Sequence, residues 1–81
     1  MEEQLTEKFD SMLFGSKLRG KRAELRMSQG DLADKSGVDI NSIARYEIGD
    51  TKPGLDKAVM LARALGVTLD ELYPMGAPRS A

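Results

Sequence analysis

The chain contains no cysteine and no histidine among its 81 residues. The absence of cysteine excludes thiolate nucleophiles, disulfide bonds and cysteine-ligated zinc, and the absence of histidine removes the most common general base. We therefore expect a protein that is not an enzyme and holds no metal or other cofactor. The longest apolar run, Ala58 to Ala62, is too short to cross a bilayer, so we expect no membrane span.

The overall composition indicates one small globular domain. The hydrophobic fraction of 41% and the charged fraction of 31% are typical of a folded, water-soluble chain. The first four residues, Met1-Glu2-Glu3-Gln4, are acidic where a secretory signal would be basic and then apolar. We therefore expect a cytoplasmic protein.

Charge is distributed unevenly along the chain, although the net charge is only −1. Four acidic residues against one basic residue give residues 1–10 a charge of −3, whereas six basic against three acidic residues give residues 16–35 a charge of +3. A basic segment can bind phosphates, but a solvated helix face would give similar counts. Charge alone leaves both interpretations open.

The periodicity of apolar residues predicts an all-α domain, because no segment shows a sustained alternation of apolar and polar residues. The first predicted helix runs from Ser16 to Met27. Its apolar stripe contains Leu18 and Leu25, with Arg22 between them on the same face.

Capping residues predict where the next helices begin and end. Ser28 and Asp31 have the spacing of a capping box at the start of a second helix, and Gly37 is placed to end it. Asp39 is a good N-cap for a third helix over residues 40–48.

Two further helices are predicted after the turn that contains Pro53. The fourth has an apolar stripe from Leu55 to Leu65 and ends before Gly66, and the fifth begins with a capping box at Thr68 and ends at Tyr73. Neighbouring carboxylates at helix starts, Asp31 with Asp34 and Asp70 with Glu71, could serve an enzyme, but capping accounts for them more simply.

The second and third helices are predicted to pack as a helix-turn-helix hairpin around Gly37. Ala33 is small enough for the two helices to cross closely, and Ile43 faces the core. Such a hairpin can place the N-terminal half of its second helix in a DNA major groove about 12 Å wide. The candidate DNA-contacting residues are Asp39, Ile40, Asn41, Ser42, Ala44 and Arg45.

A longer pattern runs through the chain and consists of Gln29, Leu32-Ala33, Gly37-Val38, Ile43, Glu47-Ile48-Gly49, Pro53, Leu55, Leu61-Ala62, Leu65-Gly66-Val67, Leu69 and Leu72. In this pattern the sequence resembles the Cro and phage-repressor type of helix-turn-helix protein, also called XRE-like or lambda-repressor-like, over residues 16–73. The resemblance implies a five-helix fold whose third helix reads the major groove. It also implies that Gln29 binds a phosphate while bracing that helix, and that Lys52 contacts the DNA backbone.

The resemblance further implies a largely buried ion pair between Arg22 and Glu47. Two solvated charges are the alternative, but an unpaired arginine on an apolar stripe would be costly. Ile40 departs from the family, which often has a polar base-reading residue at this position. Its side chain either contacts a thymine methyl group or only packs.

We divide the chain into an acidic amphipathic N-terminal extension (residues 1–14), a helix-turn-helix DNA-binding domain (15–73) and a flexible tail (74–81). The extension has Leu5, Phe9 and Met12 or Leu13 at the spacing of an amphipathic helix, with Phe14 adjoining, so the expected fold has five helices or, with the extension, six. This stripe either covers the core of the same chain or forms a surface for a second copy or a partner protein.

The predicted function is that of a transcription regulator, a repressor that binds a two-fold double-stranded DNA operator as a homodimer. Two modules can read half-sites about one helical turn, ~34 Å, apart. As in related small repressors, the candidate dimerisation residues lie in and around the last helix: Val67, Leu69, Leu72 and Tyr73. The alternative is an antitoxin or adaptor that regulates its own promoter while its extension or tail binds a partner protein.

Overall fold

The computed structural model describes residues 10–73, which form five α-helices and, within that range, no strand. This confirms the predicted all-α, five-helix fold. The predictions for residues 1–9 of the extension and for the tail lie outside the described residues. The helices are α1 (Ser11–Glu24), α2 (Gln29–Ser36), α3 (Ile40–Glu47), α4 (Leu55–Leu65) and α5 (Leu69–Leu72).

Helix α1 begins five residues earlier than predicted. The side chain of Asp10 accepts a hydrogen bond from the backbone N–H of Leu13 at 3.0 Å and so caps the helix. The helix therefore begins at Ser11 rather than at Ser16. The proposed boundary between residues 14 and 15 therefore falls inside a helix. Phe14 belongs to the core with no exposed surface, whereas Met12 is 68% exposed.

The predicted end of α1 is also wrong. The helix ends at Glu24, and Arg26 adopts the left-handed conformation with φ of 57°. Because the chain leaves the helix there, Leu25 does not continue the buried stripe and is 50% exposed. Met27, after the turn, packs against the core instead.

The helix-turn-helix is formed as the capping residues predict. Ser28 and Asp31 exchange two hydrogen bonds of 2.9 Å at the start of α2. Gly37 ends α2 with φ of 85°, a conformation that is unfavourable for residues with a Cβ atom. The chain can therefore turn at once into α3, which Asp39 caps.

Helices α4 and α5 complete the domain. Gly66 ends α4 in the left-handed conformation, and Thr68 and Glu71 form the predicted second capping box. Leu55, which we expected to face the core, is 62% exposed because it is the first residue of α4 and precedes the buried part of that helix.

One core joins all five helices. The ring of Phe14 in α1 meets Tyr46 of α3 and Tyr73 after α5 in edge-to-face geometry, with ring centroids 6.2 and 6.0 Å apart. Leu18, Leu32, Ile43, Leu61 and Leu72 are fully buried around this centre. The core thus fixes α3 between α1 on one side and α2 on the other.

The backbones of α1 and α3 approach each other very closely at Gly15. A Cβ atom on Gly15 would clash with the carbonyl oxygen of Tyr46 and would lie 2.8 Å from that of Glu47. A glycine is therefore required at this crossing point, which determines where α3 lies on α1.

Candidate nucleic-acid interface

Helix α3 has one buried and one exposed face. Ile43, Tyr46 and Glu47 are buried, whereas Ile40 is 46% exposed and the Arg45 side chain 66% exposed. The other predicted contact residues also lie on this helix or cap it: Asn41 and Asp39 are exposed, and Ser42 and Ala44 are partly buried. The structure therefore brings the six candidates together on one short helix. We call the exposed side of α3 the recognition face.

Asp39 does more at the start of α3 than cap the helix. Its carboxylate accepts the backbone N–H of Ser42 at 3.1 Å and the Ser42 hydroxyl at 2.7 Å. These hydrogen bonds, that from the hydroxyl first, lower the pKa of Asp39. The sequence predicts the cap, but the contact with the Ser42 hydroxyl was not predicted, although the Asp-x-x-Ser spacing is a signal for it.

Arg22 and Glu47 lie together, and they fix the end of α3. Arg22 donates from Nε to Glu47 Oε2 at 2.7 Å and from Nη2 to Oε1 at 2.9 Å. The side chains are only 17% and 4% exposed. Arg22 Nη1 also donates to the carbonyl oxygen of Met27 at 2.8 Å, so the guanidinium ties α1 to both α3 and the turn before α2.

The pKa of Glu47 reflects two opposing effects. Burial of the carboxylate raises its pKa, but hydrogen bonds from Arg22 and Gln29, with the nearby positive charges, lower it by more. The net result is a lowered pKa, so Glu47 stays ionised and able to accept these bonds.

Gln29, the first residue of α2, joins the same network. Its Nε2 donates to Glu47 Oε1 at 3.0 Å, so α2 is connected through this side chain to the end of α3. That contact is the bracing part of the role that the resemblance implies for Gln29. Its phosphate contact stays a prediction.

Two exposed basic residues lie on the recognition face or follow it in sequence. Arg45 lies 4.0 Å from Asp50, and because both side chains are more than half exposed this pair is weak. Lys52 is exposed in the segment between α3 and α4. Both residues are exposed, and their contacts with DNA stay predictions.

Some basic residues of segment 16–35 form ion pairs within the protein, so the segment is less available to bind phosphates than its sequence suggests. Arg22 is committed to Glu47, and Lys21 lies 3.7 Å from Glu71 of α5. The exposed basic residues of this segment are Lys17, Arg19, Arg26 and Lys35.

The dimerisation candidates are not equally placed. Leu72 is fully buried in the core of its own chain and offers no exposed surface to a second copy, and the dimerisation roles of the four candidates stay predictions. Val67, Leu69 and Tyr73 are partly exposed. Leu69 and Tyr73 line a mainly apolar pocket of about 320 Å³ that also includes Leu55 and Asp70.

Two other kinds of site are absent from residues 10–73. No group of three or more acidic side chains there is arranged to hold a metal ion. No helix in the same range is long and apolar enough to span a membrane.

Comparisons of sequence place this architecture in a known group. A family model described as Helix-turn-helix matches residues 18–72. The cryptic phage CTXphi transcriptional repressor RstR of Vibrio cholerae is 31% identical over 61 residues, which are 75% of this chain and 54% of that protein. The uncharacterized HTH-type transcriptional regulator YobD of Bacillus subtilis is 36% identical over 58 residues, 72% of this chain and 52% of that protein. The chain thus spans about half the length of these relatives.

Solved structures agree in fold and in sequence. The restriction-modification controller protein C.AhdI from Aeromonas hydrophila has a TM-score of 0.75 and 35% identity, covering 78% of this chain and 96% of that one. The P22 c2 repressor, solved in complex with a synthetic operator, has a TM-score of 0.70 and 30% identity, covering 74% and 91%. The chain therefore belongs to the helix-turn-helix family of the Cro and phage-repressor type, a family of DNA-binding transcription regulators rather than of enzymes.

Proposed function

We propose that this protein is a sequence-specific double-stranded DNA-binding transcription regulator. The observation that carries the proposal is the recognition face: Ile40, Asn41 and Arg45 are exposed on a helix whose other side is held by the core and by Glu47. A helix presented in this way fits the major groove, where each base pair has its own pattern of donors and acceptors. Gln29 and Lys52 flank it and supply phosphate contacts that set its position on the duplex.

We further propose that the protein is a repressor, that it acts in the cytoplasm and that it binds its operator as a homodimer. One module of this size contacts few bases, whereas two modules related by a two-fold axis double the contacts and fix the spacing of the half-sites. The pocket formed by Leu55, Leu69 and Tyr73, together with Val67, supplies an apolar surface for the second copy. The name of the relative RstR supports repression.

Selection of bound sites from random duplex DNA tests the proposal. We expect enrichment of a two-fold symmetric sequence whose half-site centres lie about 10 base pairs apart. The double variant Asn41→Ala/Arg45→Ala should lose the enrichment, while Arg63→Ala, an exposed change at the far end of α4, should keep it. A library that stays random in the presence of folded protein would refute DNA sequence recognition.

Two measurements test whether the protein binds as a homodimer and whether it represses transcription. Sedimentation with the selected duplex should show two chains per site, and the substitution Leu55→Asp, at an exposed residue that lines the pocket, should shift this towards one chain. A reporter gene placed behind the selected site should be expressed less when the protein is present. Increased expression would contradict repression without contradicting DNA binding.

A further inference from the structure

The hydroxyl group of Ser42 has a fixed hydrogen-bonding direction. Its oxygen lies 2.7 Å from Asp39 Oδ1, while the Ser42 backbone N–H donates to the other carboxylate oxygen. An ionised carboxylate can only accept hydrogen bonds, and the lowered pKa of Asp39 keeps it ionised near neutral pH. The single proton of the Ser42 hydroxyl is therefore directed at Asp39.

This hydrogen bond to Asp39 determines what else the Ser42 hydroxyl can bind. With its proton engaged, the oxygen offers lone pairs only and acts as an acceptor. The phosphate and sugar oxygens of duplex DNA are acceptors too, so Ser42 has no hydrogen bond to give them. In the major groove the donors are the exocyclic amino groups, N6 of adenine and N4 of cytosine.

The position of Ser42 allows such a contact. It lies on the N-terminal half of α3, next to Asn41 and one turn before Arg45, and the residue is partly exposed. The N-terminal half of a recognition helix is the part that contacts base edges in helix-turn-helix complexes.

We propose that Asp39 makes Ser42 a base-selective residue that accepts a hydrogen bond from adenine N6 or cytosine N4 at one position of each half-site. The inference rests on the proposed DNA recognition and adds a chemical rule to it. Asp39 acts through Ser42 and is a positioning residue.

The contact between Ser42 and the base is tested by removing either the Ser42 hydroxyl or the amino group of the base. On the selected operator, Ser42→Ala should lower the preference for adenine or cytosine at one base pair by about 3- to 10-fold, the effect of one neutral hydrogen bond. Replacing that base with purine or 2-pyrimidinone, which lack the amino group, should cost the wild-type protein the same factor. It should cost the Ser42→Ala variant nothing.

The substitution Asp39→Asn tests the direction of the hydrogen bond between the Ser42 hydroxyl and residue 39. Asparagine is an equally good N-cap, so the fold should be kept, as circular dichroism and thermal unfolding can verify. Its carbonyl oxygen must face the Ser42 N–H, which places its NH₂ group against the Ser42 oxygen. The hydroxyl proton is then released, and the preference at that base pair should move towards guanine or thymine, which present acceptors. Because the change also removes a negative charge, the measured quantity is the ratio of affinities between bases.

The double variant Asp39→Asn/Ser42→Ala is the matched control. It should show the same base ratios as Ser42→Ala alone. The proposal is overturned if Asp39→Asn changes those ratios equally with and without the hydroxyl, or if Ser42→Ala leaves every base ratio of a specific operator unchanged. Failure of the wild-type protein to select any sequence is a different result, because it overturns the proposed function as well.

Discussion

The guanidinium of Arg22 holds both carboxylate oxygens of Glu47, at 2.7 and 2.9 Å, although the two residues are 25 positions apart in sequence. Since both side chains are largely buried, each would leave an unpaired buried charge if the other were removed. The pair therefore connects the first helix to the end of the recognition helix.

We predict that Arg22 and Glu47 are strongly coupled in stability. Arg22→Met or Glu47→Leu alone should lower the free energy of unfolding by roughly 2–4 kcal/mol, because the remaining charge stays buried. The double variant should lose much less than the sum of the two. Urea unfolding of the four proteins measures this, and additive losses would show that the charges do not interact.

The lowered pKa of Glu47 predicts a specific pH dependence. The unfolded chain takes up a proton near the ordinary value of 4.5, whereas the folded chain does so only at lower pH. The stabilisation is therefore fully present above about pH 5 and is lost as the pH falls through the folded pKa.

Two variants isolate this contribution. Below about pH 5, Glu47→Gln should lose less stability with falling pH than the wild-type protein does, because it has no carboxylate to protonate. In Arg22→Met the main group that lowers the pKa is gone and burial dominates, so the contribution of Glu47 should reverse in sign. Identical pH profiles for the wild-type protein and Glu47→Gln would contradict the assignment.

A methyl group at Gly15 should disturb the crossing of α1 and α3. Gly15→Ala would place a Cβ atom against the carbonyl oxygens of Tyr46 and Glu47, and we expect a loss of about 1–3 kcal/mol. Gly20, in the same helix, has no atom of residues 10–73 within 4 Å of the place where a Cβ atom would lie, so Gly20→Ala should stabilise by roughly 0.5–1 kcal/mol. Thermal unfolding of the two variants, with opposite shifts expected, checks the prediction; a shift of the same sign for both would contradict it.

Binding to the operator should weaken steeply with salt despite the net charge of −1. If each of two protomers neutralises about three or four phosphates, the slope of log K against log salt concentration should be near −5 to −7. Fluorescence anisotropy over a range of salt concentrations gives the slope. A value shallower than about −2 would show that the exposed basic residues are not at the interface.

We expect Arg45 to contact a base rather than a phosphate. It lies two positions after Ile43, about 200° around the helix, and so faces away from the core. Arg45→Ala should therefore flatten the preference at one base pair per half-site, worth about 1–3 kcal/mol, because arginine pairs with guanine O6 and N7. The control Asp50→Ala removes the carboxylate 4.0 Å away and should leave base preference unchanged. Equal weakening on all operator variants would assign Arg45 to the backbone.

The local signals in the sequence predicted most of the fold, because caps act over three or four residues. Ser28 with Asp31 and Thr68 with Glu71 identify helix starts, and Gly37 identifies a helix end without knowledge of any distant residue. The predicted start of α1 at Ser16 was wrong, because the cap at Asp10, five residues before it, was not considered.

Tertiary contacts were harder to predict. The exposure of Leu25 follows from the turn at Arg26, and the burial of Leu72 follows from the packing of α5 on α1 and α4, neither of which periodicity reveals. The close packing at Gly15 was not predicted, because the first helix was expected to begin only at Ser16. The Arg22–Glu47 contact came from family resemblance, because a separation of 25 residues leaves no local trace.

The three-ring contact at Phe14 has a consequence for how the domain opens. Helix α5 has four residues, too few to persist without packing, and its neighbour Tyr73 is joined through Phe14 to Tyr46 on the recognition helix. Local unfolding of α5 would therefore also expose the Phe14 ring, against which Tyr46 of α3 packs. We expect backbone amides in the middle of α3 and those at the end of α5 to exchange with deuterium at closely similar rates, as parts of one cooperative unit.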